Sequence, residues 1–203
     1  MVIMRKVGRK IGSNGAIAAR AAWRRLVRNC EGVAAIEFAL ILPLMFMLFV
    51  GAVEFSQALT VDRRVTQIAS STADLIARTK SITTSEVSSI FKISDQLMKP
   101  YDTAPIKITV SNVVADPNDA NKTTVCWSQN YHGGAKSYAN GQSYALPQGI
   151  VQAGESVIVA EVSYAYTPIL FDYFITSTTD LTETFYLKPR LSSSIEYDGK
   201  KCL

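Results

Sequence analysis

Hydrophobic residues follow three different patterns along this chain. Residues 33–53 form an almost continuous apolar run in which Glu37 is the only charged residue. Residues 61–75 carry apolar side chains at helical spacing, and after Pro100 the pattern changes to the alternation of strands. The chain therefore predicts a helix that is apolar all round, an amphipathic helix, and then a β region.

The apolar run has the length of a membrane-spanning helix. It covers 21 residues, and about 20 residues at about 1.5 Å each span a hydrocarbon core of about 30 Å. A core helix of a soluble protein would show a polar face, and a secretory signal would have a shorter apolar segment followed by a cleavage site. Pro43 lies inside the run and is tolerated better in membrane helices. We therefore expect a membrane helix.

The helix is expected to continue beyond the apolar run. Its second half carries an apolar stripe with spacings of 4, 3, 4 and 3, formed by Val61, Val65, Ile68, Thr72 and Leu75. No Gly or Pro interrupts residues 52–80. One helix is predicted from about Ala34 to about Arg78, with the stripe packed against the C-terminal part of the same chain.

A second, shorter helix is predicted before Pro100. Thr83 and Glu86 have the spacing of a capping box, in which each side chain bonds to the backbone of the other residue. The predicted apolar face of this helix consists of Val87, Ile90, Phe91 and Leu97. Pro100 closes the segment because a proline lacks the N–H group that a helix interior needs.

Four segments after Pro100 have the alternation and the β-branched content of strands: "PIKITVSNVV", "KTTVCWSQ", "ESVIVAEVSYAYTPIL" and "LTETFYLKPR". "ADPNDANK" is predicted as the turn between the first two, and a Gly- and Tyr-bearing loop precedes the third. The expected fold class is α+β. A long N-terminal transmembrane helix continues into an amphipathic helix, and a short second helix and a roughly four-stranded antiparallel sheet follow.

Charge is distributed unevenly along the chain. Residues 1–32 contain eight Lys and Arg residues and one Glu, a net charge of +7, whereas the remainder carries −3. A basic N-terminus binds nucleic acid in some proteins, but beside an apolar run it is typical of a segment held in the cytoplasm. We therefore predict no nucleic-acid partner. The predicted regions are a basic cytoplasmic leader (1–32), a transmembrane helix (33–54), a periplasmic helical region (55–100) and an antiparallel β domain (101–203).

The three cysteines fall on both sides of the apolar run. Cys126 and Cys202 lie in the part that would face an oxidising compartment, where a disulfide is permitted. We expect them to pair, the alternative being two free thiols. Cys30 precedes the run, which argues against a lipoprotein, whose cysteine follows the apolar stretch, and we expect Cys30 to stay reduced in the cytoplasm.

The sequence offers little for catalysis. His132 is the only histidine, and the segments "HGG" and "GQSYA" do not complete a G-x-S-x-G motif. No phosphate-binding or dinucleotide glycine motif and no Cys/His metal cluster is present in the sequence. We therefore predict no enzyme activity, no cofactor and no metal, and a membrane-anchored hydrolase would lack a nucleophile–base pair.

The segment "EGVAAIEFALILPLMFMLFVGAVEFSQAL" resembles the TadE-like family of minor pseudopilins, which are type IV pilin-like proteins of the Tad/Flp (tight adherence) pilus. In that family a prepilin peptidase cuts after a Gly, and a Glu followed by an aromatic residue stands fifth in the mature chain. The matching residues here are Gly32, Val33, Glu37 and Phe38, and the family's internal Pro and its "VEF" are matched at Pro43 and residues 53–55.

The resemblance implies cleavage after Gly32, with Val33 as the new N-terminus, and a role in pilus biogenesis and adhesion. The implied partners are the prepilin peptidase, other Tad pilins and the inner-membrane assembly platform. The implied location is the bacterial inner membrane, as a single-pass protein with a cytoplasmic N-terminus, or the extracellular pilus. TadE-type and TadF-type subunits both stay open, and so does an uncleaved bitopic protein whose periplasmic domain is an assembly or binding module.

Glu37 has two interpretations. Near the start of the helix a carboxylate lies close to the lipid headgroups, where it costs less than the roughly 2.5–3.5 kcal/mol of a charge at mid-bilayer. The resemblance implies a second role, in which Glu37 pairs with the α-amine of Val33 on a neighbouring subunit. Such a pair would offset the burial of both charges inside a dry filament.

Overall fold

The structure is a computed structural model that describes residues 23, 32–168 and 178–202. The chain divides into two compact units, residues 1–50 and residues 51–203. Most of the basic leader, residues 169–177 and Leu203 lie outside the described residues. Residues 169 and 170 are the last two of the third predicted strand.

A single long helix, α1 (Val33–Ala77), contains 45 residues and has Pro43 inside it. This confirms the prediction of one helix from about Ala34 to about Arg78. In the first unit its large apolar side chains are exposed, with Phe38 at 65%, Leu40 at 75% and Phe49 at 67% of their full surface. In the second unit α1 buries one face, formed by Val61, Val65, Ile68, Ala69, Thr72, Ala73 and Ile76.

The predicted stripe on α1 is right in four of its five positions. Val61, Val65, Ile68 and Thr72 are buried, but Leu75 is 37% exposed and the core position is taken by Ile76. The centre of the buried face follows Ala69, Ala73 and Ile76, which are four and three residues apart. Leu75 precedes Ile76 by one residue and is therefore turned away from it by about 100° around the helix.

Helix α2 (Thr84–Met98) begins with the predicted capping box. The Thr83 N–H donates to the Glu86 carboxylate at 2.8 Å, and the Glu86 N–H donates to the Thr83 hydroxyl at 3.4 Å. The Thr83 N–H, and after it the Thr83 hydroxyl, which also donates to the Glu86 carboxylate, lower the pKa of Glu86. Val87 and Phe91 are buried as predicted, Ile90 and Leu97 are partly buried, and Ser94 and Met98 complete the packed face.

The β region is one antiparallel sheet of four strands, which confirms the predicted α+β class. The strands lie in the order β3-β2-β4-β5 and are β2 (Ile106–Asp116), β3 (Asp119–Tyr131), β4 (Ser156–Tyr166) and β5 (Thr179–Leu187). The predicted turn "ADPNDANK" is shorter than expected, because Asp119 already pairs with Asp116.

The sheet is covered on both faces. Ile158, Ala160 and Val162 of β4 belong to the main core with α1 and α2. Val157 and Val159, which alternate with them, form a second cluster with Tyr144 from the long loop after β3. Burial on both faces explains why β4 has the most continuous apolar sequence among the strands.

Two very short strands, β1 (Ser81–Ile82) and β6 (Glu196–Tyr197), form a separate parallel pair. Sequence reasoning missed them because two residues are too few to show an alternation. Their pairing holds the C-terminal segment beside the start of α2, where the Asp198 carboxylate accepts the Thr84 N–H at 3.2 Å.

The contrast between Ile68 and Leu75 gives a test of the packing. Ile68→Ala removes a fully buried side chain and is expected to lower the free energy of unfolding by about 2–5 kcal/mol, whereas Leu75→Ala should change it by about 0.5 kcal/mol or less. Denaturant titration of the detergent-solubilised chain measures both. Equal losses for the two variants would contradict the assignment of the buried face.

Candidate functional site

Gly32 and Val33, the expected cleavage point, lie at the start of α1 and are both exposed. A Cβ atom built on Gly32 would meet no other atom within 4 Å. The packing of the described residues therefore does not require a glycine here.

Glu37 and Phe38 lie one turn further along α1 and are also exposed, Phe38 at 65%. Val33 and Glu37 are four residues apart, so they share a face of the helix and are separated by about 6 Å along its axis.

The apolar run that follows has no cover in the structure. Of the described residues, α1 is the one helix long and apolar enough to cross a membrane, and no residue of its most apolar window is buried. Exposed apolar side chains in such number are stable only in lipid or against other chains. The run therefore requires an apolar partner, and one carboxylate stands at its start.

A second carboxylate, Glu54, stands at the end of the apolar run, and sequence reasoning gave it no role. It is 7% exposed, and the Tyr166 hydroxyl donates a hydrogen bond to its Oε2 atom at 3.3 Å. Burial, followed by the nearby Glu54 carboxylate, raises the pKa of Tyr166 to about 12. This contact ties the last strand residue of β4 to the point where α1 becomes amphipathic.

Arg64 fastens α2 to α1. Its guanidinium donates to the carbonyl oxygens of Leu97 at 2.7 Å and Lys99 at 2.6 Å, and it lies 5.5 Å from the centre of the Tyr101 ring. These carbonyls belong to the C-terminal end of α2, where backbone oxygens lack helical partners and attract a cation. Sequence reasoning gave Arg64 no role, because the two carbonyls lie 33 and 35 residues further along the chain.

Cys126 of β3 and Cys202 are joined by a disulfide, with their Cα atoms 5.7 Å apart. Other contacts hold the same C-terminal segment. The Ile195 carbonyl accepts hydrogen bonds from the Trp127 ring N–H at 3.0 Å and the Asn112 amide at 3.1 Å. The disulfide thus closes a segment that is already anchored to the sheet.

His132 makes a structural contact. Its Nδ1 atom is 3.1 Å from the Ile106 carbonyl oxygen, and its ring stacks on Tyr131. Burial and a hydrogen bond to Asp95 raise the pKa of Tyr131 to about 12. Within residues 32–168 and 178–202, no group of three or more His, Cys, Asp or Glu residues is placed to hold a metal.

A polar cluster around Glu161 lies on the sheet face opposite the helices. The Glu161 carboxylate is 3% exposed and accepts hydrogen bonds from the Lys136 ammonium at 2.8 Å, the Tyr138 hydroxyl at 3.0 Å and the Tyr144 hydroxyl at 3.4 Å. The bond to Glu161 raises the pKa of Lys136, and burial raises that of Tyr144. The cluster fastens the loop after β3 to the sheet.

Comparison with known families gives one match. Residues 32–74 match the model of the TadE family, described as TadE-like protein. The match confirms the resemblance predicted from the sequence, and it covers Gly32 and α1 as far as Asp74. No curated protein and no solved structure matches the chain.

Removing the disulfide tests how far the C-terminal segment stabilises the domain. The two cysteines are 76 residues apart, and closing a loop of that length contributes about 4 kcal/mol in the chain-entropy model. Cys126→Ser with Cys202→Ser should lower the free energy of unfolding by about that amount, and Cys30→Ser should not. Peptide mapping without reductant that finds both thiols free in exported protein would contradict the pairing.

Proposed function

We propose that this chain is a minor pseudopilin of a Tad-type pilus. A prepilin peptidase cuts it after Gly32, and the mature chain is incorporated into the pilus or primes its assembly. The chain is thus a substrate of a peptidase and a structural component, and its surroundings are other Tad pilins and the inner-membrane assembly platform. The observation that carries the proposal is the TadE-like match over residues 32–74, which coincides with an uncovered apolar helix.

The apolar half of α1 supports this function. Before assembly, its exposed side chains need the hydrocarbon of a membrane, and after assembly they need the helices of neighbouring subunits. An amphipathic second half that packs on a sheet fits the same role, because it anchors a folded domain to the apolar segment.

The residues at the start of α1 support processing. Gly32 lies in open space within the described structure, so a peptidase can approach its backbone without a side chain in the way. Cleavage would release the basic leader and create an α-amine on Val33.

Glu37 then acquires a partner. In a filament that excludes water, the new α-amine of one subunit and the Glu37 carboxylate of another neutralise each other. A buried charge that loses its partner costs about 3–5 kcal/mol, so the pair would select for correctly placed subunits.

The disulfide fits an orientation with the β domain in the periplasm. Disulfides persist in oxidising compartments and are rare in the cytoplasm. The +7 leader on the other side of the apolar run agrees with the same orientation through the positive-inside rule.

Topology is tested with reporter fusions. A reporter that is active only in the periplasm, fused after Leu203, is expected to be active, and the same reporter fused within the leader should be silent. Activity of a cytoplasmic reporter fused after Leu203 would overturn the proposed orientation.

Processing is tested at Gly32. Gly32→Leu should leave an uncleaved chain, heavier by the 32-residue leader and still inserted, since α1 is intact. Glu37→Ala should still be cut, but it should be depleted from sheared pili because a neighbouring amine loses its partner. Intact-mass measurement of the membrane and pilus fractions reports both effects.

The matched control for Glu37→Ala is Asp62→Ala, which removes an exposed carboxylate from the second half of the same helix. It should be cut and assembled like the native chain. A native chain that keeps residues 1–32, or normal trimming of Gly32→Leu, would refute the processing step. The uncleaved bitopic assembly module would then take its place.

A further inference from the structure

The two edge strands of the sheet, β3 and β5, differ in the backbone pairing of their outer edges. The outer edge of β3 is paired with the following loop: the Val125 N–H donates to the Gln142 carbonyl at 2.8 Å, and the Gly141 N–H donates to the Val125 carbonyl at 2.7 Å. Among the described residues, no strand pairs with the outer edge of β5. An uncovered edge offers a row of backbone donors and acceptors to another strand.

A groove runs beside this edge, between β5 and α1. Its volume is about 410 Å³, and its lining consists of Ser70, Ser71, Asp74, Arg78, Phe185, Leu187 and Arg190. Phe185 and Leu187 are only partly buried, although they lie on the sheet face that carries the main core. The groove therefore has an apolar floor that a further strand would cover.

The two ends of the groove differ in charge. At the end of β5, the guanidinium groups of Arg78 and Arg190 both bind the Asp74 carboxylate, and their side chains remain 60% and 54% exposed. Two cations share one anion there, and N–H donors are left for a second carboxylate. Toward the start of β5 stands Glu183, two residues before Phe185 and on the same face of the strand.

The geometry points to strand addition at β5: the groove accepts an extended segment of another pilus subunit, antiparallel to β5. A carboxylate at the amino end of that segment would bind Arg78 and Arg190, and a cation at its carboxyl end would meet Glu183. Alternate apolar side chains would cover Phe185 and Leu187. Only the identity of the partner as a pilus subunit rests on the proposed function.

β5 of a second copy of this chain cannot be the strand that is added beside β5. Thr179 pairs with Tyr166, whose hydroxyl bonds to Glu54, and the Arg190 N–H donates to the Ala77 carbonyl at 2.9 Å. β5 therefore runs in the same direction as residues 54–77 of α1. Antiparallel pairing of two β5 strands would set these helix segments in opposite directions, whereas the subunits of the proposed filament all point the same way.

Binding is tested with the full chain in detergent micelles and two fluorescent heptapeptides with blocked termini. Both peptides alternate valine and threonine in the middle. One has glutamate at the amino end and lysine at the carboxyl end, and the other has these two residues exchanged. The glutamate-first peptide should bind about tenfold more tightly by fluorescence anisotropy, which corresponds to one favourable charge arrangement.

Substitutions test whether the peptide binds in this groove. Arg78→Glu should weaken binding of the glutamate-first peptide about tenfold and strengthen binding of the peptide with lysine first, so that the preference is reversed. Arg78→Gln should weaken binding of the glutamate-first peptide by about half as much on the logarithmic scale. Lys92→Glu, an equal change of charge on an exposed position of α2, should alter neither affinity. Circular dichroism of each variant establishes that it is folded.

The proposal is overturned if neither peptide binds, if both bind equally, or if Lys92→Glu has the same effect as Arg78→Glu. The intact mass of the same samples reports separately whether the leader has been removed. A chain that keeps its leader but binds the glutamate-first peptide would refute the processing step and leave the groove assignment standing.

Discussion

The packing of the second half of α1 on the sheet is the contact on which the rest of the structure depends. Val61, Val65, Ile68 and Ile76 are buried there together with Ile158 and Val162 of β4. Polar contacts reinforce this frame. Arg64 holds the end of α2, and the Arg190 N–H donates to the Ala77 carbonyl, which holds the segment after β5. Because one helix carries both the core face and the apolar run, the domain is fastened directly to the segment proposed to enter the membrane.

That arrangement explains the position of Glu54. A carboxylate at the end of an apolar run would be costly in lipid, but here it is buried inside the unit formed by residues 51–203 and receives a hydrogen bond from Tyr166. Glu37 at the other end of the run is exposed. Two acidic residues of similar sequence context therefore differ in environment. Glu54 is buried and hydrogen-bonded within its unit, and Glu37 is exposed at the start of the helix.

The sequence predicts those parts of the structure that depend on local periodicity. The length of α1, the capping box of Thr83 and Glu86 and the four strands follow from patterns within single segments of the chain. Gly32 and Glu37 were singled out by the resemblance to the TadE-like family, not by periodicity. The contact between Glu54 and Tyr166 could not, because it joins residues 112 positions apart. Leu75 was misplaced because spacing alone does not show that the face is centred on Ala69 and Ala73.

The C-terminal segment links folding to compartment. Its residues bond to the end of α1, to β1 and to β3, through the Arg190, Asp198 and Cys202 positions. Each of the hydrogen bonds is available without oxidation, so the segment can dock before the disulfide forms. Under the proposed topology, Cys126 and Cys202 meet an oxidising environment only after the domain has crossed the membrane. Oxidation then fixes a docked segment. Arg190 of that segment lines the groove beside β5, so the groove is completed on the side where the proposed partner subunits assemble.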